Sequence, residues 1–150
     1  MKVCIGGTFD IIHKGHQKLI NKAFKTAGRD GFVFIGVAVD KLVESKKNVK
    51  SFLDRRKRLV NYIKKMNYES DFEIKPIKTV YGPTLENDFD AIIVSAETID
   101  NAKLINKERK KLNKKPMKII KIPCILAEDN KPISTTRIKK GDIDLEGNLI

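Results

Sequence analysis

The sequence is poor in several residue types and patterns that mark particular classes of protein. Its 150 residues include two cysteines, two histidines and no tryptophan, and they contain no internal repeat. The longest apolar run, FVFIGVAV, falls far short of the roughly 18 residues that a membrane-spanning helix needs. The N-terminus lacks the charged, apolar and small-residue regions of a signal peptide. We therefore expect one cytoplasmic domain, residues 1–150, that does not enter a membrane.

The two cysteines show none of the spacing that indicates a metal site. Cys4 and Cys124 each lie in an apolar, strand-like stretch, with no CxxC pattern and no histidine cluster beside either. A free cysteine in such surroundings usually behaves as a small apolar core residue. The pattern predicts two buried, reduced thiols rather than a disulfide or a metal pair.

Acidic residues are scarce relative to basic ones. There are 31 Lys and Arg against 19 Asp and Glu, for a net charge of +12, and many of the lysines lie in segment 103–121. This segment has no interleaved aromatics and no zinc-binding spacing, so a solvated helix face is favoured over a nucleic-acid-binding surface. A basic nucleic-acid-binding module remains an alternative, and an enzyme that handles phosphates explains the same charge.

Short apolar runs alternate with segments of helical period. Fully apolar short strands separated by helices are typical of a parallel sheet that is covered on both faces. We therefore predict an α/β fold, a single-domain Rossmann-like open parallel sheet of about five strands with helices on both faces. The predicted elements are strands at KVCIGG, FVFIGVAV, DFEIKPI, DAIIVSA and MKIIKIP, and helices at HQKLINKAFKTA, 54–66, 98–114 and from Ser134.

Four polar segments follow predicted strands. Ligands of open α/β sheets bind at the carboxyl ends of the strands, near the point where the strand order reverses. The sequence therefore predicts that these segments converge on one crevice: GGTFD, ESKK, SAET and ISTT.

Both histidines of the chain lie in one stretch, GGTFDIIHKGH, at residues 6–16. The glycines allow the backbone to approach a ligand closely, and the helix that follows His13 directs its free N–H groups to the same place. Thr8 adds a hydroxyl, and His16 lies on the inward side of the first helical turn. These features favour a phosphate-binding role, although the stretch is neither GxGxxG nor a Walker A motif. A metal site formed by Asp10 and the two histidines is less favoured, because no second shell supports it.

Two motifs resemble those of a known superfamily. The pattern G-T-F-D-x-x-H-x-G-H resembles the first signature of the HxGH nucleotidyltransferases, and ISTTRIKKG resembles their second signature, ISSTxIR. The chain length, IIVSAET and INKERKKLNKKPM look most like the archaeal-type phosphopantetheine adenylyltransferases. Two positions depart from the pattern: Thr135 stands where Ser is usual, and Lys139 where Arg is usual. Lysine keeps the charge but loses bidentate geometry, so the contact that Lys139 makes stays open.

The resemblance implies transfer of AMP from ATP to 4′-phosphopantetheine, giving dephospho-coenzyme A and pyrophosphate, with Mg²⁺ entering bound to ATP. It implies that His16, His13 and Lys46 are catalytic and that Thr8 and Lys46 bind phosphopantetheine. A neutral His16 is expected to donate to the α-phosphate. The implied ATP-binding residues are Gly7, Thr8, Phe9, His13, His16, Ser95, Glu97, Thr98, Asn106, Ser134, Thr135 and Thr136.

Several alternatives stay open. Lys47 competes with Lys46, and Arg56 and Arg58 compete with Arg55 for the position of a recurrent family arginine. Arg109 lies one helical turn from Asn106 and is a further candidate for the same pocket. FAD synthetases and small cytidylyltransferases share both signatures, although SAET argues against them. The sequence does not specify the oligomeric state.

Overall fold

Strands and helices alternate along the chain, as the apolar pattern predicts. The protein is described here by a computed structural model that covers residues 1–150. Its elements, in chain order, are β1 (Lys2–Gly7), α1 (Lys14–Ala27), β2 (Phe32–Ala38), a 3-10 turn (Asp40–Leu42), α2 (Phe52–Met66), β3 (Asp71–Ile77), β4 (Ala91–Val94), α3 (Ile99–Lys111), β5 (Lys118–Lys121) and α4 (Thr135–Lys139).

The five strands form one parallel sheet, in the order β3-β2-β1-β4-β5. The chain builds outward from β1 to β3 and then crosses to the other side of β1, where it adds β4 and β5. The strand order therefore reverses between β1 and β4. In a sheet of this kind, the crevice outside the carboxyl ends of those two strands is the expected ligand site.

Helices pack on both faces of the sheet, which confirms the predicted fold class. Helices α1 and α2 cover one face, where their apolar stripes and the inward side chains of the strands form a core of 17 buried residues. Helix α3 covers the other face over β4 and β5, with a second core of eight buried residues. A third, small cluster of Ala127, Ile133 and Ile143 packs the C-terminal segment against the loop that precedes α4.

The edge strands differ from the prediction of fully apolar, fully covered strands. Strand β3 exposes Asp71, Glu73 and Lys75, and both ends of β5 are exposed lysines. Edge strands have a neighbour on one side only, and charged side chains on them oppose pairing with another chain. Strands β4 and β5 are also shorter than the apolar runs that predicted them.

The two cysteines have different surroundings, so the prediction of two buried thiols is half wrong. Cys4 is buried, and burial raises the pKa of its thiol to about 12. Cys124 is exposed. It follows the end of β5, where the chain has left the core, so an apolar run did not mean burial. No helix of the structure has the length and apolar character needed to cross a membrane.

Candidate active site

The turn after β1 brings the first signature to the carboxyl edge of the sheet. Phe9 has a left-handed backbone, with a φ of 51°, and its side chain is fully buried. Its ring lies against Gly7, where an added Cβ would stand 3.1 Å from the ring, and its centroid is 5.2 Å from that of His16. The Phe9 side chain thus packs against the buried side of the turn, and the backbone is the part of Phe9 that lies on the crevice side.

His13 is the N-cap of α1. Its Nδ1 accepts hydrogen bonds from the backbone N–H groups of Gly15 (3.0 Å) and His16 (3.4 Å). Burial, together with the neighbouring His16, lowers the pKa of His13 to about 3. The ring is therefore neutral at pH 7, and because Nδ1 is an acceptor its single proton is on Nε2. His13 can donate one hydrogen bond without becoming charged.

His16 stacks on His13, with ring centroids 3.9 Å apart and planes 19° from parallel. Its Nδ1 lies 2.7 Å from the carbonyl oxygen of Ile11. Since a carbonyl can only accept, Nδ1 carries the proton, and a neutral ring then has a bare Nε2. The expectation that neutral His16 donates from its free nitrogen is therefore wrong for this geometry. Donation from Nε2 requires the imidazolium.

Burial and three neighbouring groups control the charge of His16. Burial lowers its pKa below the ordinary value; the Ile11 carbonyl and the Glu97 carboxylate oppose that effect, and the Lys46 ammonium adds to it. The free ring is thus neutral near pH 7. An arriving anion would raise the pKa of His16, as Glu97 does, and would favour the charged form of the ring.

The structure distinguishes Lys46 from Lys47. The Lys46 ammonium donates to the Thr8 hydroxyl oxygen at 2.6 Å, across the gap between the loops that follow β1 and β2. Lys47 contributes only its backbone carbonyl, which accepts from Lys139. Lys46 is therefore the lysine of ESKK that reaches the first signature.

The three competing arginines have three different environments. Arg55 is 2 % exposed and donates to the carbonyls of Thr8 (3.0 Å) and Ala38 (2.7 Å). Thr8 directly follows β1, and Ala38 is the last residue of β2. Arg58 donates to the Asp10 carbonyl at 3.3 Å. Arg56 is exposed and lines a groove between α2 and the edge strand β3. Arg55 thus joins the ends of β1 and β2 behind the crevice.

The SAET segment starts at the end of β4 and enters α3 through Thr98. The Thr98 hydroxyl accepts from the Ser95 backbone N–H at 3.2 Å, which closes a turn at the edge of the crevice. Glu97 is exposed within this turn and acts on the charge of His16. The segment therefore faces the first signature, as its place after β4 predicts.

Asn106 and Arg109 lie near the amino ends of β4 and β5, away from the carboxyl ends that form the crevice. The prediction that they share this pocket is therefore wrong. Both ends of the Asn106 amide bond the backbone of Met117, just before β5, at 2.9 Å. Arg109 is 1 % exposed and donates to Thr84 O at 2.6 Å, in the loop that leads into β4. Arg109 lies on the buried face of α3 together with Ala102 and Ile105. Its helical spacing from these two residues is what directs it into the fold.

The second signature enters α4 through Ser134, whose hydroxyl accepts from the Arg137 backbone N–H at 3.2 Å. Arg137 turns away, forms an ion pair with Asp129 and donates to Pro132 O. Thr135 and Thr136 lie at the start of the helix. The hydroxyls are thus brought to one end of α4, while Arg137 anchors the preceding loop.

Sequence reasoning missed one contact between the two signatures. Lys139 of α4 forms an ion pair with Asp10, which is 2 % exposed. Two oppositely charged residues, one in each motif, were the only signal for this pair. A cavity of about 610 Å³ lies away from this contact, between β2, β3 and the loop that includes Pro83.

Comparison with known proteins gives a consistent assignment. The sequence profile of the family described as cytidylyltransferase-like matches residues 4–141. A phosphopantetheine adenylyltransferase of Methanosarcina mazei is 48% identical over 149 residues, which cover 99% of this chain and 96% of that protein. Another, from Archaeoglobus fulgidus, is 42% identical over 151 residues and covers 100% of both chains.

A solved structure agrees with these sequence relatives. The crystal structure of a protein with unknown function from Archaeoglobus fulgidus superposes with a TM-score of 0.75 at 36% identity, over 89% of this chain and 100% of that one. The match of family, length and fold leads to one conclusion: the chain belongs to the cytidylyltransferase-like family and, within it, to the archaeal phosphopantetheine adenylyltransferases.

Proposed function

We propose that the protein transfers AMP from ATP to 4′-phosphopantetheine, giving dephospho-coenzyme A and pyrophosphate. The observation that carries the proposal is the meeting of Lys46, Thr8 and the stacked histidines at the carboxyl edge of β1, beside the reversal of strand order. Two relatives that match this chain over nearly their whole length are described as phosphopantetheine adenylyltransferases.

The acceptor phosphate is already an anion, so the reaction needs no strong general base. One of its oxygens attacks the α-phosphorus in line, a new P–O bond forms, and the bond to the bridging oxygen breaks as pyrophosphate leaves. No covalent enzyme intermediate is involved. Catalysis then consists of positioning and of stabilising charge on the transferred and departing phosphates.

Each residue is assigned a role that its geometry supports. His16, charged once the phosphates approach, donates from Nε2 to the α-phosphate. Neutral His13 donates from its own Nε2, and Thr8 orients the phosphates with it. Lys46 lies where it can bridge the attacking and the transferred phosphate. The remaining ATP contacts are proposed for the backbone of Gly7 and Phe9, for Ser95, Glu97 and Thr98, and for the hydroxyls of Ser134, Thr135 and Thr136.

Mg²⁺ enters bound to ATP. Asp10, the buried carboxylate beside the histidines, has one oxygen bonded to the Lys50 amide and the other paired with Lys139, so it is not free to hold a metal ion. Oxygen ligands from the triphosphate and water suit this cation. The bound ion would neutralise charge on the departing pyrophosphate.

Since the reaction consumes ATP, we expect it to take place in the cytoplasm.

Pyrophosphate release tests the proposal. The protein is incubated with Mg²⁺-ATP and, separately, 4′-phosphopantetheine, FMN or glycerol 3-phosphate, and each acceptor is repeated with CTP. We expect turnover with ATP and phosphopantetheine, and a loss on the order of a hundredfold in kcat for His16→Ala, as for removal of one preorganised donor. Lys18→Ala, an exposed change on the same helix, is the matched control.

Other outcomes would identify a different function. Turnover with FMN indicates an FAD synthetase, and turnover with CTP and glycerol 3-phosphate indicates a cytidylyltransferase. Salt-dependent binding of DNA or RNA without release of pyrophosphate from any pair would favour a nucleic-acid-binding module instead.

A further inference from the structure

The Asp10 carboxylate is buried between three segments that are distant in sequence. Its Oδ1 accepts from the Lys50 backbone N–H at 2.9 Å, and its Oδ2 is paired with Lys139. Burial raises the pKa of this carboxyl, but Lys139, Lys50 and Arg55 outweigh that effect and hold it below its ordinary value. Asp10 is therefore ionised at pH 7, and it depends on Lys139 for its only direct cationic partner.

The Lys139 ammonium has as many oxygen neighbours as it has N–H donors. It donates to Lys47 O at 3.3 Å and to Asn48 O at 3.1 Å, and its third neighbour is the Asp10 carboxylate. A lysine has three donors, whereas the arginine usual at this position has five. An arginine could hold these oxygens and still reach a phosphate. Lys139 has no N–H left over for one.

The loop that carries Lys46 depends on this contact more than α4 does. Helix α4 is also held by the Arg137–Asp129 pair and by the packing of Ile133. Residues 47 and 48 have no other hydrogen bond to a distant segment than those that their carbonyls accept from Lys139. Loss of the ammonium would free the backbone next to Lys46 while leaving the helix in place.

We propose that the Asp10–Lys139 pair is a strap that fixes the 46–50 loop, so that Lys139 is a positioning residue for the acceptor lysine and not a ligand of the ATP phosphates. This inference rests on the proposed function for its kinetic consequences. The strap itself is a property of the free protein and can be measured without any substrate.

Kinetics and ATP binding are compared for Lys139→Met, Asp10→Asn and the double variant, with Lys140→Met as the matched control. Methionine keeps the length of the stem, and asparagine keeps an oxygen for the Lys50 amide. Both single variants should raise KM for phosphopantetheine by roughly tenfold and lower kcat, while the Kd for ATP in calorimetry stays within about threefold. The double variant should be no worse than the more impaired single variant, because both remove one interaction. Lys139→Arg should recover the parent KM.

Hydrogen exchange of the free protein separates the two proposals. Peptides that cover residues 46–50 should exchange at least about threefold faster in Lys139→Met than in Lys140→Met, with α4 unchanged. If the parent does not use phosphopantetheine, the proposed function fails while this result still supports the strap. Unchanged exchange overturns the strap. A fall in ATP affinity that Asp10→Asn does not reproduce also overturns it, since Lys139 would then contact the triphosphate directly.

Discussion

In the proposed reaction, the position of one proton on His16 determines how this residue takes part. Its Nδ1 is occupied by the Ile11 carbonyl, so the free nitrogen can donate only when the ring is charged. Burial keeps the ring neutral in the free protein, and the negative phosphates of ATP would raise the pKa of His16. The charge needed for catalysis is thus expected to arise with the substrate.

We predict that binding of Mg²⁺-ATP at pH 8 takes up a fraction of a proton in the parent and none in His16→Gln. Glutamine offers an N–H without protonation, so it can replace the bond but not the titration. Calorimetric titration in two buffers of different ionisation enthalpy measures the uptake. Equal uptake in parent and variant would assign the proton to another group.

Lys46 provides the second prediction at this scale. An ammonium between two phosphates reduces their repulsion as they approach, so Lys46→Ala should raise KM for phosphopantetheine and lower kcat. Equilibrium affinity for ATP should stay within about threefold, because Lys46 acts mainly on the incoming acceptor. Steady-state kinetics and calorimetry test both parts.

Lys47→Ala is the matched control, because only the backbone of Lys47 takes part in a contact. It should resemble the parent in every constant. If the Lys47 variant is the impaired one, the side chain that reaches the acceptor has been assigned to the wrong neighbour.

At the scale of elements, α1 depends on a histidine cap that works only while neutral. The folded pKa of His13, about 3, is far below that of an unfolded histidine, so the unfolded chain binds a proton at a higher pH than the native one. Stability from this group is complete above about pH 6.5 and is lost as the pH falls toward 3. His13→Asn keeps a cap oxygen without the titration. From pH 7 to pH 4, the parent should lose on the order of 2 kcal/mol more unfolding free energy than His13→Asn, as measured by urea denaturation.

Helix α2 fixes the ends of two strands through one buried guanidinium. Arg55 reaches the carbonyls of Thr8 and Ala38 through one terminal nitrogen and the carbonyl of Lys50 through Nε. A lysine has a single nitrogen and lacks this planar fork, so it cannot reach both places at once. Arg55→Lys should lower the free energy of unfolding by about 2 kcal/mol or more, since a buried acceptor is left unpaired. Arg56→Lys, at an exposed position, should change it by less than about 0.5 kcal/mol. Thermal or urea unfolding of both variants measures the contrast, and equal effects would contradict the role given to Arg55.

The sequence predicts elements better than it predicts their surroundings. Apolar period and turn residues located every strand and helix, because burial of one face requires that period. They did not separate exposed from buried arginines: Arg55 and Arg109 are core residues that donate mainly to backbone carbonyls, which leave no trace in composition. The protonated nitrogen of His16 is likewise fixed by a carbonyl, and neither motif contains that information.

At the scale of the whole molecule, the order of strands joins the two ends of the chain. The reversal at β1 places the first signature at the centre of the sheet, and the segment after β5 returns across its carboxyl edge so that Lys139 of α4 meets Asp10. The C-terminal residues support this return, since the Lys14 N–H donates to Leu145 O at 3.4 Å. One ligand can therefore contact segments that are separated by most of the sequence.

We predict that Mg²⁺-ATP slows hydrogen exchange in residues 6–16 and 133–139 together. In the proposed site both segments contact one triphosphate, so ordering it there should suppress local opening of both. Exchange is followed by mass spectrometry with and without nucleotide. The loop that contains Pro83, at the far cavity, supplies the internal control and should not change. Slowing of the first segment alone would mean that α4 is held to the site by protein contacts without sharing the ligand, and the hydroxyls of the second signature would then lose their assigned role.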